Sequence, residues 1–304
     1  MAFINIFLKT LGFFVGITTF VIIINVLFYL MPKVDNDYRF VDGDMNSKNL
    51  IVHLDLSGPI FNNSIKTLTS GIYEYIDPTE VESYLDNLEK IDPKVLVIRL
   101  NSPGGTVSAT VSLEKKINEF KNKKNVQIYF FSEEVLASGA YWVATSGDKI
   151  YTNYGAVVGS IGVSGPSWYY YDKPVSISTG AFGKKIETLN QIQIFDQNAG
   201  RSKDLFNPYR KPSKKELEHL QNMVKEIYND FLIKVSKNRK IEVNTLINEI
   251  GALIYTSNQA KDRFLIDDVL EYDELLDKII KNNNFKDYKL LKLNKNNNFL
   301  DKYL

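Results

Sequence analysis

The stretch Lys94-Val-Leu-Val-Ile-Arg-Leu100 is an apolar run rich in β-branched residues, and it leads directly into Asn101-Ser-Pro-Gly-Gly105. Such a run suits a strand covered on both faces, and strands of that kind belong to parallel sheets flanked by helices. The surrounding sequence repeats the theme. Residues 49–56 read as a strand that stops at Ser57-Gly-Pro59, and 125–131 and 149–151 read as two more. Pro78 opens a helix with Val81, Tyr84, Leu85 and Leu88 at apolar spacing. Another helix follows the paired glycines, with Val111, Leu113, Ile117 and Phe120 on one face. Strand and helix alternate through short glycine-rich turns, which predicts right-handed βαβ units and an α/β fold built on a parallel sheet.

Residues 10–31 are nearly all apolar. About 22 helical residues span about 33 Å, enough for the hydrocarbon core of a bilayer. A cleaved leader has a shorter apolar region and a small-residue cleavage site, whereas this run ends in the bulky Tyr29-Leu-Met-Pro-Lys33. The expected organisation is a stub at 1–9, an uncleaved transmembrane anchor at 10–31, a polar linker at 32–48, a main folded domain at 49–280 and a poorly ordered Asn/Lys-rich tail at 281–304. Positive charge is nearly balanced on the two sides of the anchor, so it does not set orientation.

Within the domain, 155–163 is a glycine-punctuated apolar segment, 175–180 is weakly strand-like and 187–207 is polar and irregular. Residues 212–237 predict a long amphipathic helix with a Ser213/Glu216 capping box. Shorter helices are expected at 241–249, 257–264 and 273–280.

Composition removes several chemistries. The net charge of +1 gives no reason to expect a nucleic-acid partner. With no cysteine there is neither a thiolate nucleophile nor a zinc–thiolate site. The two histidines are poorly placed for a triad: His53 lies mid-strand as a packed residue, and His219 lies in the long helix as a surface or boundary one. Ser138, in Ala137-Ser-Gly-Ala-Tyr141, stands at the start of an apolar helix. There it serves either as an N-cap or as a nucleophile beside the Gly139 N–H. A serine nucleophile needs a base, and with histidine disfavoured the base is a lysine or a carboxylate; burial lowers a lysine's pKa toward neutrality. Spacing alone does not select one lysine.

Four motifs, Asn101-Ser-Pro-Gly-Gly, Ala137-Ser-Gly-Ala-Tyr-Trp, Gly159-Ser-Ile-Gly-Val and Lys203-Asp-Leu-Phe-Asn-Pro, resemble in order and spacing the signal peptide peptidase A (SppA) family of Ser–Lys membrane proteases. The resemblance covers about 49–276; one departure is Ala140, where the family has a second glycine. It implies a Clp/crotonase-like fold of repeated ββα units. It also implies Ser138 as nucleophile, Lys203 as general base, Ser160 as the residue orienting that lysine, and Gly105 and Gly139 as oxyanion-hole positions. No metal or other cofactor is implied. The implied substrates are remnant signal peptides and other apolar membrane-associated peptides. The implied setting is a bacterial cytoplasmic membrane with the catalytic domain on the non-cytoplasmic side. A homo-oligomer is implied as well, in which Lys203 of one chain serves Ser138 of another. Rival readings are a membrane quality-control or stomatin-partner protease of the same fold, an inactive membrane scaffold, and acyl-CoA chemistry, which the anchor disfavours.

Overall fold

A computed structural model of the chain describes residues 2–30, 38–62, 74–172, 176–179, 184–187, 192 and 197–293. Two compact units emerge, Phe40–Leu293 and a smaller one made of Met1–Arg39 with Asn294–Leu304. In the smaller unit, helix α1 (Ala2–Leu30) begins well before Thr10, because Phe3, Ile4, Ile6, Phe7 and Leu8 continue the apolar run. Its 21-residue stretch Ile4–Ile24 is long and apolar enough to cross a membrane. The hydroxyls of Thr10, Thr18 and Thr19 each donate to the carbonyl four residues back, so these polar groups are satisfied within the helix.

The larger unit is α/β. Strands β1 (Tyr38–Gly43), β2 (Leu50–Ser57), β3 (Val95–Asn101), β4 (Gln127–Ser132) and β6 (Lys149–Thr152) share one sheet with β11 (Asp268–Val269) and β12 (Lys289–Leu293). The order is β1-β12-β2-β3-β4-β6-β11, and every pairing from β12 to β11 is parallel. Helices α2 (Pro78–Ile91) and α3 (Val107–Lys124) make the crossovers. Successive strand residues face opposite sides. Val95 and Val97 of β3 pack with Leu275 and Ile279 of α8 (Tyr272–Asn282), while Leu96, Ile98 and Leu100 point the other way and are equally buried.

Three expectations are corrected. The tail expected from 281 contains β12, whose Leu290 and Leu293 are buried beside β2; only 294–304 lie outside the described residues. The polar linker contains β1, an edge strand of the sheet. On α3 the buried stripe is Ala109, Thr110, Leu113, Glu114, Ile117 and Phe120, so Val111 faces outward instead of inward.

A small second sheet carries the serines. Strand β5 (Val135–Ala137) pairs in parallel with β7 (Val157–Gly159), and β10 (Ile254–Thr256) pairs antiparallel with β7. Strands β8 (Ser176–Thr179) and β9 (Lys184–Glu187) pair antiparallel with each other. Helices α4 (Gly139–Ala144), α5 (Lys214–Arg239), α6 (Val243–Thr245) and α7 (Ser257–Asp262) complete the described elements, with a single π turn at Leu246–Ile250. The Ser213/Glu216 capping box is present at the start of α5.

Candidate active site

Ser138 occupies the cap position of α4 but does not act as a cap. Its side chain makes no capping hydrogen bond, and its backbone adopts φ 53°, ψ −124°. A non-glycine residue in that region costs about 1–3 kcal/mol and persists only where its surroundings impose it. Here they do: the Ser138 N–H donates to Gly159 O at 2.9 Å, and Ser138 O accepts from Trp142 N–H at 3.0 Å. The bland reading of Ser138 as an N-cap is therefore set aside.

Two loops meet at this point. The Asn101–Gly105 segment leaves β3 and runs parallel beside β5, with Ser102 N–H donating to Val135 O at 2.7 Å and Ala137 N–H donating to Ser102 O at 3.1 Å. Gly104 has φ 96°, and a Cβ there would stand 2.7 Å from Gly139 N and 2.8 Å from Ser138 Cβ. Only glycine allows the loops to approach so closely. Gly105 is pressed in turn against the backbone of Ile60.

A cavity of about 290 Å³ opens beside Ser138. Its wall includes Gly105, Gly139 and Ser160 together with the apolar Trp142, Ile227 and Phe231. Four of the five residues singled out in the sequence thus meet at one cavity. Ser160 also has φ 53°, and its N–H donates to Leu253 O at 2.8 Å. Glu114 fixes the indole wall: it accepts from Trp142 Nε1 at 2.8 Å and pairs with Lys234 Nζ at 2.6 Å. The Trp142 and Phe231 ring centroids lie 4.9 Å apart. On the same wall the Thr110 hydroxyl is buried against Gly139 with no hydrogen-bond partner among the described residues.

Lys203, the fifth residue, does not line this cavity. It is exposed, in a run of turns from Arg201 to Phe206 in which Ser202 and Phe206 have φ 59° and 67°. Arg210 holds that segment. It donates to both oxygens of Asp204, at 2.5 and 2.8 Å, and to both oxygens of Glu216, at 2.8 and 3.0 Å, and it stacks over Trp168 at 5.0 Å. These bonds hold the carboxyls of Asp204 and Glu216 well below the usual range. Neither Arg210 nor Glu114 stands out in the sequence; the one signal was the polar Glu114 inside the apolar stripe of α3.

His53 behaves as a packed strand residue. It is buried on β2, with Nε2 2.5 Å from Asp55 Oδ1 and Nδ1 2.7 Å from the Tyr272 hydroxyl. His219 is exposed on α5.

The family model described as Peptidase family S49 matches residues 119–286, more than half of the chain. The chain belongs to peptidase family S49. A Methanocaldococcus jannaschii protein named as a candidate protease is 35% identical over 196 residues, which is 64% of this chain and 58% of that protein. An Enterococcus faecium protein named as a candidate signal peptide peptidase SppA is 26% identical over 273 residues, 88% of this chain and 73% of its own length. This S49 chain thus spans little more than half of the archaeal relative and nearly three quarters of the enterococcal one. Among solved structures, an alanine mutant of the membrane-bound stomatin-specific protease 1510-N aligns with a TM-score of 0.45 and 15% identity, covering 76% of this chain and 85% of that one.

Proposed function

We propose that this S49 protein is a membrane-anchored serine endopeptidase in which Ser138 is the nucleophile and Lys203 of a neighbouring copy is the general base. One observation carries the reading: Ser138 is held in a strained backbone conformation, without a capping role, at the mouth of a cavity that Gly105 and Gly139 also line. A hydroxyl held that way is exposed to a reacting carbonyl, and the backbone N–H groups of two glycines suit the oxyanion that forms. Fixed backbone donors need no reorganisation, and losing one typically costs about 10²–10³ in rate. Neutral Lys203 takes the Ser138 proton as Ser138 attacks the peptide carbonyl. The lysinium then protonates the leaving amine, and water hydrolyses the acyl-enzyme. Ser160, on the cavity wall, orients the incoming amine.

A base supplied in trans fits the exposure of Lys203 on an anchored turn outside the cavity of its own chain. The apolar side chains on the cavity wall, Trp142, Ile227 and Phe231, and the apolar α1 favour substrates that are themselves apolar and membrane-associated, remnant signal peptides among them.

The test is fluorophosphonate labelling and peptide cleavage by the full chain in detergent micelles. Ser138→Ala and Lys203→Ala should each abolish cleavage and leave thermal unfolding intact. Mixing the two variants should restore part of it. Labelling that persists in Ser138→Ala overturns the nucleophile assignment, and full cleavage by Lys203→Ala overturns the base.

A further inference from the structure

The two proposed oxyanion donors come from different loops, Gly105 from the segment after β3 and Gly139 from the segment after β5. Something must hold these loops at one spacing. The first residue of the glycine segment does this in a way that its position in the sequence does not suggest. Asn101 Oδ1 accepts three hydrogen bonds, from Ser132 Oγ at 2.9 Å, Glu133 N–H at 2.9 Å and Glu134 N–H at 3.0 Å. Residues 133 and 134 are the entire link between β4 and β5, so their two backbone N–H groups are tied to the end of β3. The same link is held again through the Glu133 side chain, which pairs with Arg99. Next along, Ser102 N–H bonds to Val135 O, and Ser102 Oγ accepts from Gly104 N–H at 3.1 Å.

We propose, on the reading of Ser138 and the two glycines given above, that Asn101 is a positioning residue for the oxyanion pocket. By anchoring the 133–134 link it sets where β5 starts, and so where Ser138 and Gly139 lie relative to Gly104 and Gly105. The tolerance is small, because Gly104 already sits so close that a Cβ would come within 2.7 Å of Gly139 N. A misplacement of about 1 Å in a catalytic constellation costs about 10²-fold in rate.

All three groups that meet Asn101 Oδ1 are donors, which predicts which substitution works. A carboxylate offers more acceptor sites than an amide oxygen and needs no donor in return. Asn101→Asp should therefore keep kcat within a few-fold of the unsubstituted protein. Asn101→Ala and Asn101→Leu leave two backbone N–H groups unpaired and should lower kcat about 100-fold, with KM nearly unchanged.

The experiment measures kcat and KM on an apolar fluorogenic peptide, together with the rate of fluorophosphonate labelling, for the full chain in micelles. Leu275→Ala, a change in the α8 core cluster on the far side of the sheet, controls for lost stability and should leave kcat intact below its unfolding temperature. Equal kcat in Asn101→Ala and the unsubstituted protein overturns the proposal. So does a loss in Asn101→Asp as large as that in Asn101→Leu, or a kcat loss in Leu275→Ala that matches Asn101→Ala. If the unsubstituted protein shows no Ser138-dependent labelling, it is the protease reading that fails, and the positioning role falls with it.

Discussion

Ser138 and Ser160 step off adjacent parallel strands at the same register. Ala137 pairs with Gly159 across β5 and β7, and the serine after each has φ 53°. The strain at Ser138 predicts a trade of stability against chemistry. Glycine occupies positive φ at no steric cost, although it loses more backbone entropy on folding. Ser138→Gly should unfold at a higher temperature than the unsubstituted protein while cleaving nothing. Thermal unfolding of the two proteins checks this, and a lower midpoint for Ser138→Gly would mean that the serine side chain contributes packing that outweighs its strain.

Gly104 should tolerate no side chain. Its φ of 96° already disfavours alanine, and the added Cβ would push on Ser138 Cβ and Gly139 N together. Gly104→Ala should reduce kcat by about 100-fold or more, the loss expected when an oxyanion donor is displaced. By contrast, Gly200 has φ 99° with open space where a Cβ would go. Gly200→Ala should cost about 1–3 kcal/mol of local backbone strain, with kcat much less affected. Comparing the kinetics of the two variants separates a steric block at the site from the general cost of a strained glycine.

The strands were legible because their residues are apolar on both faces, and Lys94 to Leu100 needed no partner to be read. Ser138 was legible only as a place: the same Ala-Ser-Gly pattern suits a cap, and it is the backbone angle that removes the cap. The β12 strand was hidden because Lys289-Leu-Leu-Lys-Leu293 sits among asparagines and lysines, and its burial comes from pairing with β2, far away in sequence. The roles of Arg210, Glu114 and Asn101 were hidden for a related reason. Each is an ordinary polar residue whose importance lies in contacts made after folding, whereas glycines and prolines announce the backbone shapes they allow.

Acid should loosen the edge of the main sheet. Hydrogen bonds from Lys261 and Lys278 hold the Asp268 carboxyl down to about 2. A carboxyl whose pKa is lowered on folding stabilises the protein above its unfolded pKa of about 3.9, and that stabilisation is lost as pH falls toward the folded value. The unfolding midpoint of the unsubstituted protein should therefore drop between pH 4 and pH 2 by more than that of Asp268→Asn. Asp268 is only partly buried and both lysine partners reach solvent, so the difference should be small and should shrink further in high salt. Parallel pH–melting curves that coincide for the two proteins would rule this contribution out.

Arg210 should matter to catalysis without touching the cavity. It joins Asp204, the residue beside Lys203, to Glu216 at the start of α5, and it lies over the Trp168 ring. Lysine cannot reproduce this arrangement, because a single ammonium lacks the planar fork that engages two carboxylates and stacks on an indole. Arg210→Lys should therefore behave much like Arg210→Ala. Both should lower kcat about 10-fold or more by releasing the 201–206 turns that carry Lys203, the proposed base, while the rate of fluorophosphonate labelling at high pH, where free hydroxide compensates for a misplaced amine, should recover toward that of the unsubstituted protein. Glu216 is also the acceptor of the Ser213 capping box, so Glu216→Gln keeps the cap partner and weakens only the ion pair. It should fall between the unsubstituted protein and Arg210→Ala. An Arg210→Ala variant with unchanged kcat at neutral pH would show that the Arg210 ion pairs do not set the position of Lys203.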